Sequence, residues 1–175
     1  MIAEVSPDTC LPMHACQNSR ARIRLARPDE ADQLTALALR SKAYWGYDAA
    51  FMEACVQSLT VSAERIAAEE YSVLEVDGRI VGFAGLQTGG VEAELTNLFV
   101  EPWAIGRGYG KRLWQHVIQL ARSRGATRMR IESDPFAEAF YTAMGAEHIG
   151  ETPSDAIAGR TIPLLMYHLP TAGTE

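Results

Sequence analysis

The spacing of apolar residues changes period several times along the chain, and each change predicts a new element. Arg22–Ala26 alternates apolar residues with arginines, which is typical of a half-buried strand. Pro28 suits the first turn of a helix that carries an apolar stripe. The aromatic segment Ser41–Asp48 breaks this spacing, and a second helix is predicted from Phe51 to Leu59.

Strands dominate the middle of the chain. Tyr71–Val76 and Arg79–Gln87 flank an Asp-Gly pair, which is a strong signal for a two-residue hairpin turn. Glu92–Val100 follows a Gly-Gly turn and is predicted as the third antiparallel strand. A helix of about 15 residues is expected next, because apolar residues return at helical spacing until Gly125.

The last third of the chain is predicted to contain two strands and a short helix. Arg128–Ser133 and Ile162–His168 are the strands, and Pro135–Met144 is the helix. Pro163 suggests a bulge or an edge position in the last strand. Because a crossover helix joins Glu92–Val100 to Arg128–Ser133, these two strands are expected to lie parallel in one sheet.

The predicted order is therefore β α α β β β α β α β. This order favours an α/β (α+β) fold in one domain, with a mixed, mostly antiparallel sheet flanked by helices. We expect residues 1–20 to be a flexible tail, residues 21–170 to form the domain, and residues 171–175 to be a short C-terminal tail.

Composition narrows the class of protein. The chain has 175 residues, of which 47% are apolar and 22% charged, as in an ordinary soluble domain. A net charge of −6 argues against a general nucleic-acid binder and is compatible with an amine partner. No run approaches the ~20 apolar residues that span a bilayer, so no membrane partner is expected.

The number of cysteines indicates the cellular compartment in which the protein is expected. Cys10, Cys16 and Cys55 are an odd number, which favours no disulfide framework and a reducing cytoplasm. Residues 1–20 lack the apolar core of a signal peptide. Cys10, His14 and Cys16 have no fourth ligand nearby, so we expect no metal there.

The glycine-rich loop after Glu92–Val100 is the strongest functional signal. Gly106, Gly108 and Gly110 stand at every second position, directly before the predicted 15-residue helix. A strand–loop–helix of this kind gathers unpaired backbone N–H groups at the positive end of a helix dipole, where a phosphate binds. Glycine lets the backbone approach the anion and adopt positive φ.

Two familiar phosphate loops do not fit. A Walker loop needs glycine where Ile105 stands and a hydroxyl residue where Arg112 stands. A dinucleotide fingerprint needs G-x-G-x-x-G after a first strand, whereas this loop has G-x-G-x-G beyond the middle of the chain.

The loop instead resembles the pyrophosphate loop of the GNAT superfamily of acyl-CoA-dependent N-acetyltransferases, (Gln/Arg)-x-x-Gly-x-(Gly/Ala). Gly108 and Gly110 fill the two small positions, Leu113 fits the first helix-core position, and Ile105 departs from the usual Gln or Arg. The resemblance runs from about residue 22 to residue 168. It implies acetyl-CoA as co-substrate, a splayed parallel strand pair, and pyrophosphate binding by the loop amides of Gly106, Arg107, Gly108, Tyr109, Gly110 and Lys111.

The same resemblance assigns further roles. Leu98, Phe99 and Val100 would align the pantetheine arm through their backbone groups, much as an added strand does. Glu94 would act as general base through water. By a period of two it is expected to share a face with Leu98 and Val100. Glu92 could share that role, or both carboxylates could simply be solvated strand residues.

A second motif, Ser133–Ala146, resembles the family's Asn-x-x-Ala-x-x-Phe-Tyr-x-x-x-Gly-Phe segment. Tyr141 matches the tyrosine that protonates the CoA sulfur, although it could also be a core aromatic residue. Asp134 stands where asparagine is usual, and at neutral pH it can accept hydrogen bonds from the cofactor but not donate them. Ala146 replaces the common Phe.

These residues predict acetyl transfer to a primary amine by direct attack in a ternary complex, without a metal. The acceptor, a small molecule or a peptide, is expected against an aromatic and acidic wall. The wall consists of Tyr44, Trp45, Tyr47 and Asp48, although an aromatic cluster at a helix break is more often simple packing. Cys55 on an apolar helix face argues against an acyl-cysteine route.

A non-catalytic acyl-CoA sensor is the alternative function, and a nucleotide-binding protein is a distant third. A homodimer is common among relatives.

Overall fold

One seven-stranded sheet organises the part of the chain that the computed structural model describes, residues 21–170. The predicted tails, with Cys10, His14 and Cys16, lie outside these residues. The strands are β1 (Ala21–Leu25), β2 (Glu70–Val76), β3 (Arg79–Gly89), β4 (Glu92–Val100), β5 (Arg128–Glu132), β6 (Glu147–Pro153) and β7 (Thr161–His168).

The sheet order is β1-β2-β3-β4-β5-β7-β6. Only β4 and β5 pair in parallel, and all other neighbours are antiparallel. The mixed, mostly antiparallel sheet predicted from the sequence is therefore confirmed, as is the parallel pair joined by a crossover helix.

Five α-helices flank the sheet within residues 21–170: α1 (Ala31–Ala43), α2 (Ala49–Leu59), α3 (Ala63–Ala68), α4 (Tyr109–Ser123) and α5 (Glu138–Ala143). The predicted length of α4 is confirmed. It ends as expected, because Gly125 has a φ of 87° and lets the last helical carbonyls accept hydrogen bonds. No helix in this described range is long and apolar enough to cross a membrane.

Two apolar cores lie on opposite faces of the sheet. On one face α4 packs against the sheet through Leu113 and Val117. On the other, Leu34 and Leu37 of α1 pack in one cluster with Phe83 of β3. Alternate residues of β2 and β3 therefore supply both cores, and the sheet is covered on both faces.

Two elements were not predicted. The helix α3 has six residues and one buried apolar side chain, Ile66, so it leaves no periodic signal. Its start is nonetheless encoded, because the Ser62 hydroxyl caps the backbone N–H of Arg65 at 3.2 Å. The strand β6 is an edge strand with mostly exposed side chains, which hides it from a hydrophobic pattern.

Two other details differ from expectation. Pro163 lies in β7, which is an interior strand, and the register shift falls in neighbouring β6 between His148 and Gly150. The position tolerates proline because the ladder with β5 begins only at Leu164. The helix α5 begins at Glu138 rather than Pro135, because Asp134 accepts the N–H of Phe136 at 2.9 Å and forms a turn first.

Candidate active site

The two parallel strands separate at the site. Their pairing runs from Glu92↔Arg128 to Leu95↔Ile131 and stops there, although β4 continues to Val100. Beyond Leu95, β4 pairs only with β3 among the described elements. The backbone groups of Leu98–Val100 on the β5 side are therefore available to a ligand.

A β-bulge in β4 changes which side chains share a face. Gly85 pairs with Asn97, but the next residue, Leu86, pairs with Leu95, so Thr96 is the extra residue. The predicted common face of Glu94 with Leu98 and Val100 is therefore wrong.

The alternation reverses at the bulge. Leu98 and Val100 belong to the cluster beneath α4, together with Leu95. Phe99 packs in the cluster on the opposite face, the side that carries α1 and α2. Glu94 alternates with Leu95, so its carboxylate lies on the face of Phe99. The bulge thus places the carboxylate of Glu94 on the face opposite the side chains of Leu98 and Val100 and on the same face as Phe99.

The glycine loop has the conformation that its composition predicts. Gly106 and Gly108 have φ values of 79° and 82°, and Gly108 is the N-cap of α4. The first bond of the helix is donated by Arg112 to the Gly108 carbonyl at 3.1 Å. The amides of Tyr109, Gly110 and Lys111 precede it and emerge from the helix N-terminus, where the dipole is positive.

Tyr141 lies deep in the site. It is 6% exposed, and its ring contacts Trp114 and Phe140 with centroids 5.6 and 5.1 Å apart. Burial, and secondarily the negative charge of Asp134, raises the pKa of the Tyr141 hydroxyl above its ordinary value. The group is therefore a neutral phenol, able to donate a proton, across the physiological pH range.

Asp134 is held by contacts that the sequence did not predict. Its carboxylate forms an ion pair with Lys42 and accepts a hydrogen bond from the Tyr47 hydroxyl at 3.1 Å. Arg160 in turn donates to the Tyr47 oxygen at 3.2 Å. The ion pair and this hydrogen-bond chain connect α1, the segment before α2 and the residue before β7 to the end of β5.

Glu94 is in a looser environment than Asp134. Its side chain is 40% exposed, and its nearest cation is Arg130 at 3.8 Å. Arg130 is bound more closely to Glu132, at 2.7 Å. Glu92, the second candidate, is occupied by Arg128 at 2.7 Å and does not line the cleft described below.

The predicted aromatic wall forms in part. Trp45 stacks on Phe136 at 5.4 Å, and Tyr47 stacks on Phe51 at 4.1 Å. Tyr44 lies edge-on to Trp45 and is half exposed. Asp48 has a different task from the one expected, because its carboxylate caps α2 by accepting the N–H of Phe51 at 2.8 Å.

One cleft of about 1110 Å³ connects these features. Ten predicted positions line it, whereas Arg107 and Tyr109 do not. The Arg107 guanidinium lies over the ring of exposed Trp103 instead, and Tyr109 packs towards the core beneath α4. The cleft also contains Lys42 and Arg160, which share no motif with the glycine loop. The predicted positions that line it are Glu94, Leu98, Phe99, Val100, Gly106, Gly108, Gly110, Lys111, Asp134 and Tyr141.

Cys55 also borders this cleft, on α2. It is only 3% exposed and packs in the same apolar cluster as Leu59. Because the thiol is packed among apolar side chains, an incoming thioester has little access to the sulfur. The position therefore gives no support to an acyl-cysteine route.

Known proteins share this architecture. The amino-acid acetyltransferase of Neisseria meningitidis serogroup A is 38% identical over 90 residues, which cover 47% of this chain and 20% of that protein. The aligned part thus spans about a fifth of that relative. The PaiA N-acetyltransferase of Thermoplasma acidophilum, in complex with coenzyme A, superposes with a TM-score of 0.71 at 17% identity, covering 85% of this chain and 98% of that chain.

A second structural match is N-acetylglutamate synthase from Neisseria gonorrhoeae, complexed with coenzyme A and N-acetyl-glutamate. It superposes with a TM-score of 0.63 at 25% identity, covering 86% of this chain and 35% of that chain. The model of the acetyltransferase (GNAT) family matches residues 36–146, which include β4, the glycine loop, α4 and Tyr141. The resemblance seen in the sequence is confirmed: the chain belongs to the GNAT acetyltransferase family.

Proposed function

We propose that this protein transfers the acetyl group of acetyl-CoA to a primary amine, by direct attack within a ternary complex. The observation that carries the proposal is the cleft itself. It joins the N-terminus of α4, the edge of β4 that β5 leaves unpaired and the phenol of Tyr141 in one continuous space. The coenzyme A complexes of the two structural relatives support the choice of co-substrate.

The loop and β4 supply the co-substrate site. The pyrophosphate would be held by the amides of Gly106, Gly108 and Tyr109–Lys111, where positive φ at Gly106 and Gly108 turns the backbone towards the anion. The Arg107 amide is not part of this set, because its N–H donates to the Ala104 carbonyl at 3.3 Å. Leu98–Val100 would pair with the amides of the pantetheine arm, filling the gap that β5 leaves. Lys111 adds a positive charge to the same end of the cleft.

The chemistry requires the nitrogen to lose two protons and the sulfur to gain one. Glu94, through water, would take a proton from the ammonium group of the acceptor, which frees the nitrogen lone pair. The nitrogen then bonds to the thioester carbonyl carbon, the C–S bond breaks, and Tyr141 would donate its proton to the departing sulfur. The newly bonded nitrogen would pass its second proton through water to the phenolate, which gives the neutral amide and restores Tyr141, and Glu94 would release its proton to solvent. Holding the two reactants in one cleft supplies much of the rate.

A non-catalytic acyl-CoA sensor is the second candidate. Such a protein needs the glycine loop and the edge of β4 but has no use for a buried phenol beside them. The protonated Tyr141 and the exposed carboxylate of Glu94, both lining one cleft, favour the enzyme. A nucleotide-binding protein ranks third, and calorimetry that shows tighter binding of ATP than of CoA would revive it.

A panel of amines with acetyl-CoA tests the proposal. Release of free thiol is measured with amino acids, polyamines, aminoglycosides and peptides as acceptors, and CoA binding is measured in parallel by calorimetry. Amine-dependent thiol release is the expected result. Tight CoA binding without thiol release for any amine would favour the sensor, and absence of CoA binding would refute the site.

A further inference from the structure

Arg160 occupies the acceptor part of the cleft and is held there by its neighbours. Its guanidinium lies 4.7 Å from the ring centroid of Phe51 and 5.6 Å from that of Tyr47. It donates one hydrogen bond to the Tyr47 hydroxyl, at 3.2 Å. The backbone is fixed as well, because the Arg160 carbonyl accepts the N–H of Ser154 at 2.8 Å. The side chain is therefore preorganised.

The other cations on this side of the cleft have carboxylate partners. Lys42 is paired with Asp134, and Arg65 is paired with Glu69 at 3.3 Å. Within residues 21–170, Arg160 makes no ion pair, and its hydrogen-bond partner is a neutral hydroxyl. Asp155 also lines the cleft, but it is exposed and not in ion-pair distance of Arg160.

This arrangement matches a carboxylate ligand. A guanidinium has five N–H donors in a planar fork, and the bond to Tyr47 uses one of them. A carboxylate accepts two parallel bonds from the remaining donors. The aromatic faces of Tyr47 and Phe51 hold the guanidinium plane without neutralising its charge.

We infer that Arg160 binds a carboxylate carried by the acceptor, so that the substrate class is an amine that bears a free carboxylate, such as an amino acid. The inference rests on the proposed function for the reaction itself. It distinguishes this class from polyamines, which carry no anion, and from the N-terminus of a long polypeptide, which has no free carboxylate next to its amine.

The test compares L-amino acids with their carboxamides, both at saturating acetyl-CoA. The carboxylate of a free amino acid raises the pKa of its amine above that of the amide, so without a carboxylate subsite the amide should be the better substrate. With the subsite, kcat/KM for the acid should exceed that for the amide by about 10- to 100-fold. Equal rates, or a faster amide, would overturn the inference and leave acetyl transfer intact.

Two variants of Arg160 test whether this residue causes the preference for the acid over the amide. Arg160→Gln keeps a donor for Tyr47 and should bring the ratio of acid to amide to within about threefold, mainly through a higher KM for the acid, whereas Arg160→Lys should keep part of it. Arg79→Gln, at the exposed β2–β3 turn, is the matched control and should leave the ratio unchanged. An unchanged ratio in Arg160→Gln, with CoA binding intact, would contradict the assignment.

Binding of the products separates this inference from the reaction. Calorimetry on the CoA-loaded protein should show N-acetyl amino acids binding at least 10-fold more tightly than N-acetyl amino acid amides. This readout needs no turnover, so a protein that proved inactive would still test the subsite. Equal affinities would overturn the inference, and a strong preference without any catalysis would refute the proposed reaction alone.

Discussion

Two carboxylates of the cleft have opposite surroundings, and this difference suits them to different tasks. Asp134 is 15% exposed and held by Lys42 and Tyr47, so its charge is fixed in place. Glu94 is 40% exposed and its closest cation is 3.8 Å away, so water can reach its carboxylate. Asp134 therefore organises the site and influences Tyr141, whereas Glu94 is placed to act as a base.

Glu94→Gln should lower kcat/KM by about 10- to 100-fold at neutral pH, because the variant cannot accept the proton of the ammonium group. The loss should shrink as the pH approaches the pKa of the acceptor amine, where free amine is already abundant. A pH–rate profile of amine-dependent thiol release measures both effects.

Glu92→Gln is the matched control for this substitution. The residue lies on the same strand and forms an ion pair, but it does not line the cleft. Its kcat/KM should stay within about twofold of the wild-type value. If the two variants behave alike, Glu94 is a solvated strand residue and not the base.

At the scale of elements, the site depends on three departures from regular structure: the bulge in β4, the separation of β4 from β5, and left-handed glycines at the start of α4. The bulge places Leu95 and Leu98 in the same core, although three positions separate them along the strand. The separation frees one edge of β4. The glycines turn the chain into the helix while leaving its first amides open.

Gly108→Val should weaken CoA binding by at least 100-fold. A β-branched residue is strained at a φ of 82°, and its side chain would enter the open space in front of the first amides of α4. The measurement is calorimetric titration with CoA. Ile105→Arg should be tolerated, because the cradle consists of backbone groups.

Gly78→Val provides the control for strain alone. Gly78 has a φ of 80° in the β2–β3 turn, with no atom within 4 Å of an added Cβ. Gly78→Val should reduce the free energy of unfolding by about as much as Gly108→Val does, and it should leave CoA affinity unchanged. Equal loss of affinity in both variants would mean that general destabilisation, not the loop, explains the result.

The elements show what a sequence pattern can and cannot predict. The hairpin at Asp77-Gly78, the length of α4 and the positive φ of Gly108 follow from local residue chemistry, and all three are present. The bulge at Thr96 leaves no local signal, because it is defined by pairing with β3. For this reason a regular period of two predicts the wrong face for Leu98 and Val100, which follow the bulge.

The contacts of Asp134 could not be predicted from the sequence either, because they also depend on how distant segments pack. Lys42 and Tyr47 are far from Asp134 in the sequence and reach it only when α1 and the segment before α2 pack against the end of β5. No motif links them to the glycine loop. The roles of individual residues in catalysis and CoA binding stay predictions, as do the homodimer and the cytoplasmic location.

At the scale of the whole molecule, charged groups join the edge of the sheet to the helical layer. Arg24 on β1 bonds Glu30 at 2.7 Å and Glu75 on β2 at 2.7 Å. Glu30 is 5% exposed and precedes α1 directly. The hydrogen bond from Arg24 lowers the pKa of the Glu30 carboxyl below its ordinary value. Glu30 therefore stabilises the fold in its charged form.

Glu30→Gln should reduce the free energy of unfolding by about 1–3 kcal/mol at pH 7, because it removes charged hydrogen bonds from a buried site. Since the pKa of Glu30 is lowered on folding, this stabilisation is complete above the ordinary carboxyl pKa of 4.5 and is lost as the pH falls through the lowered value. The difference between variant and wild type should shrink in that acid range. Urea unfolding at several pH values measures it.

Asp29→Asn is the control for this region. The Asp29 side chain is 76% exposed and lies 3.3 Å from that of Arg27. An exposed ion pair contributes little to stability, so the free energy of unfolding of Asp29→Asn should stay within about 0.5 kcal/mol of the wild-type value. A larger loss there than in Glu30→Gln would contradict the assignment of stability to the buried network.

The phenol of Tyr141 offers the most direct test of the central claim, that the cleft is a catalytic site and not only a binding site. The measurement is kcat for thiol release by Tyr141→Phe, with CoA affinity determined on the same sample and Tyr167→Phe as the control. Tyr167 also packs against Trp114, at 5.1 Å, but does not line the cleft.

Tyr141→Phe should lose about 100-fold or more in kcat while binding CoA as the wild type does, and Tyr167→Phe should retain its activity. Because its pKa is raised, the wild-type phenol should stay protonated, and active, at least up to its ordinary pKa of 10. If Tyr141→Phe acetylates amines as fast as the wild type across this pH range, Tyr141 is a core aromatic residue and not the acid.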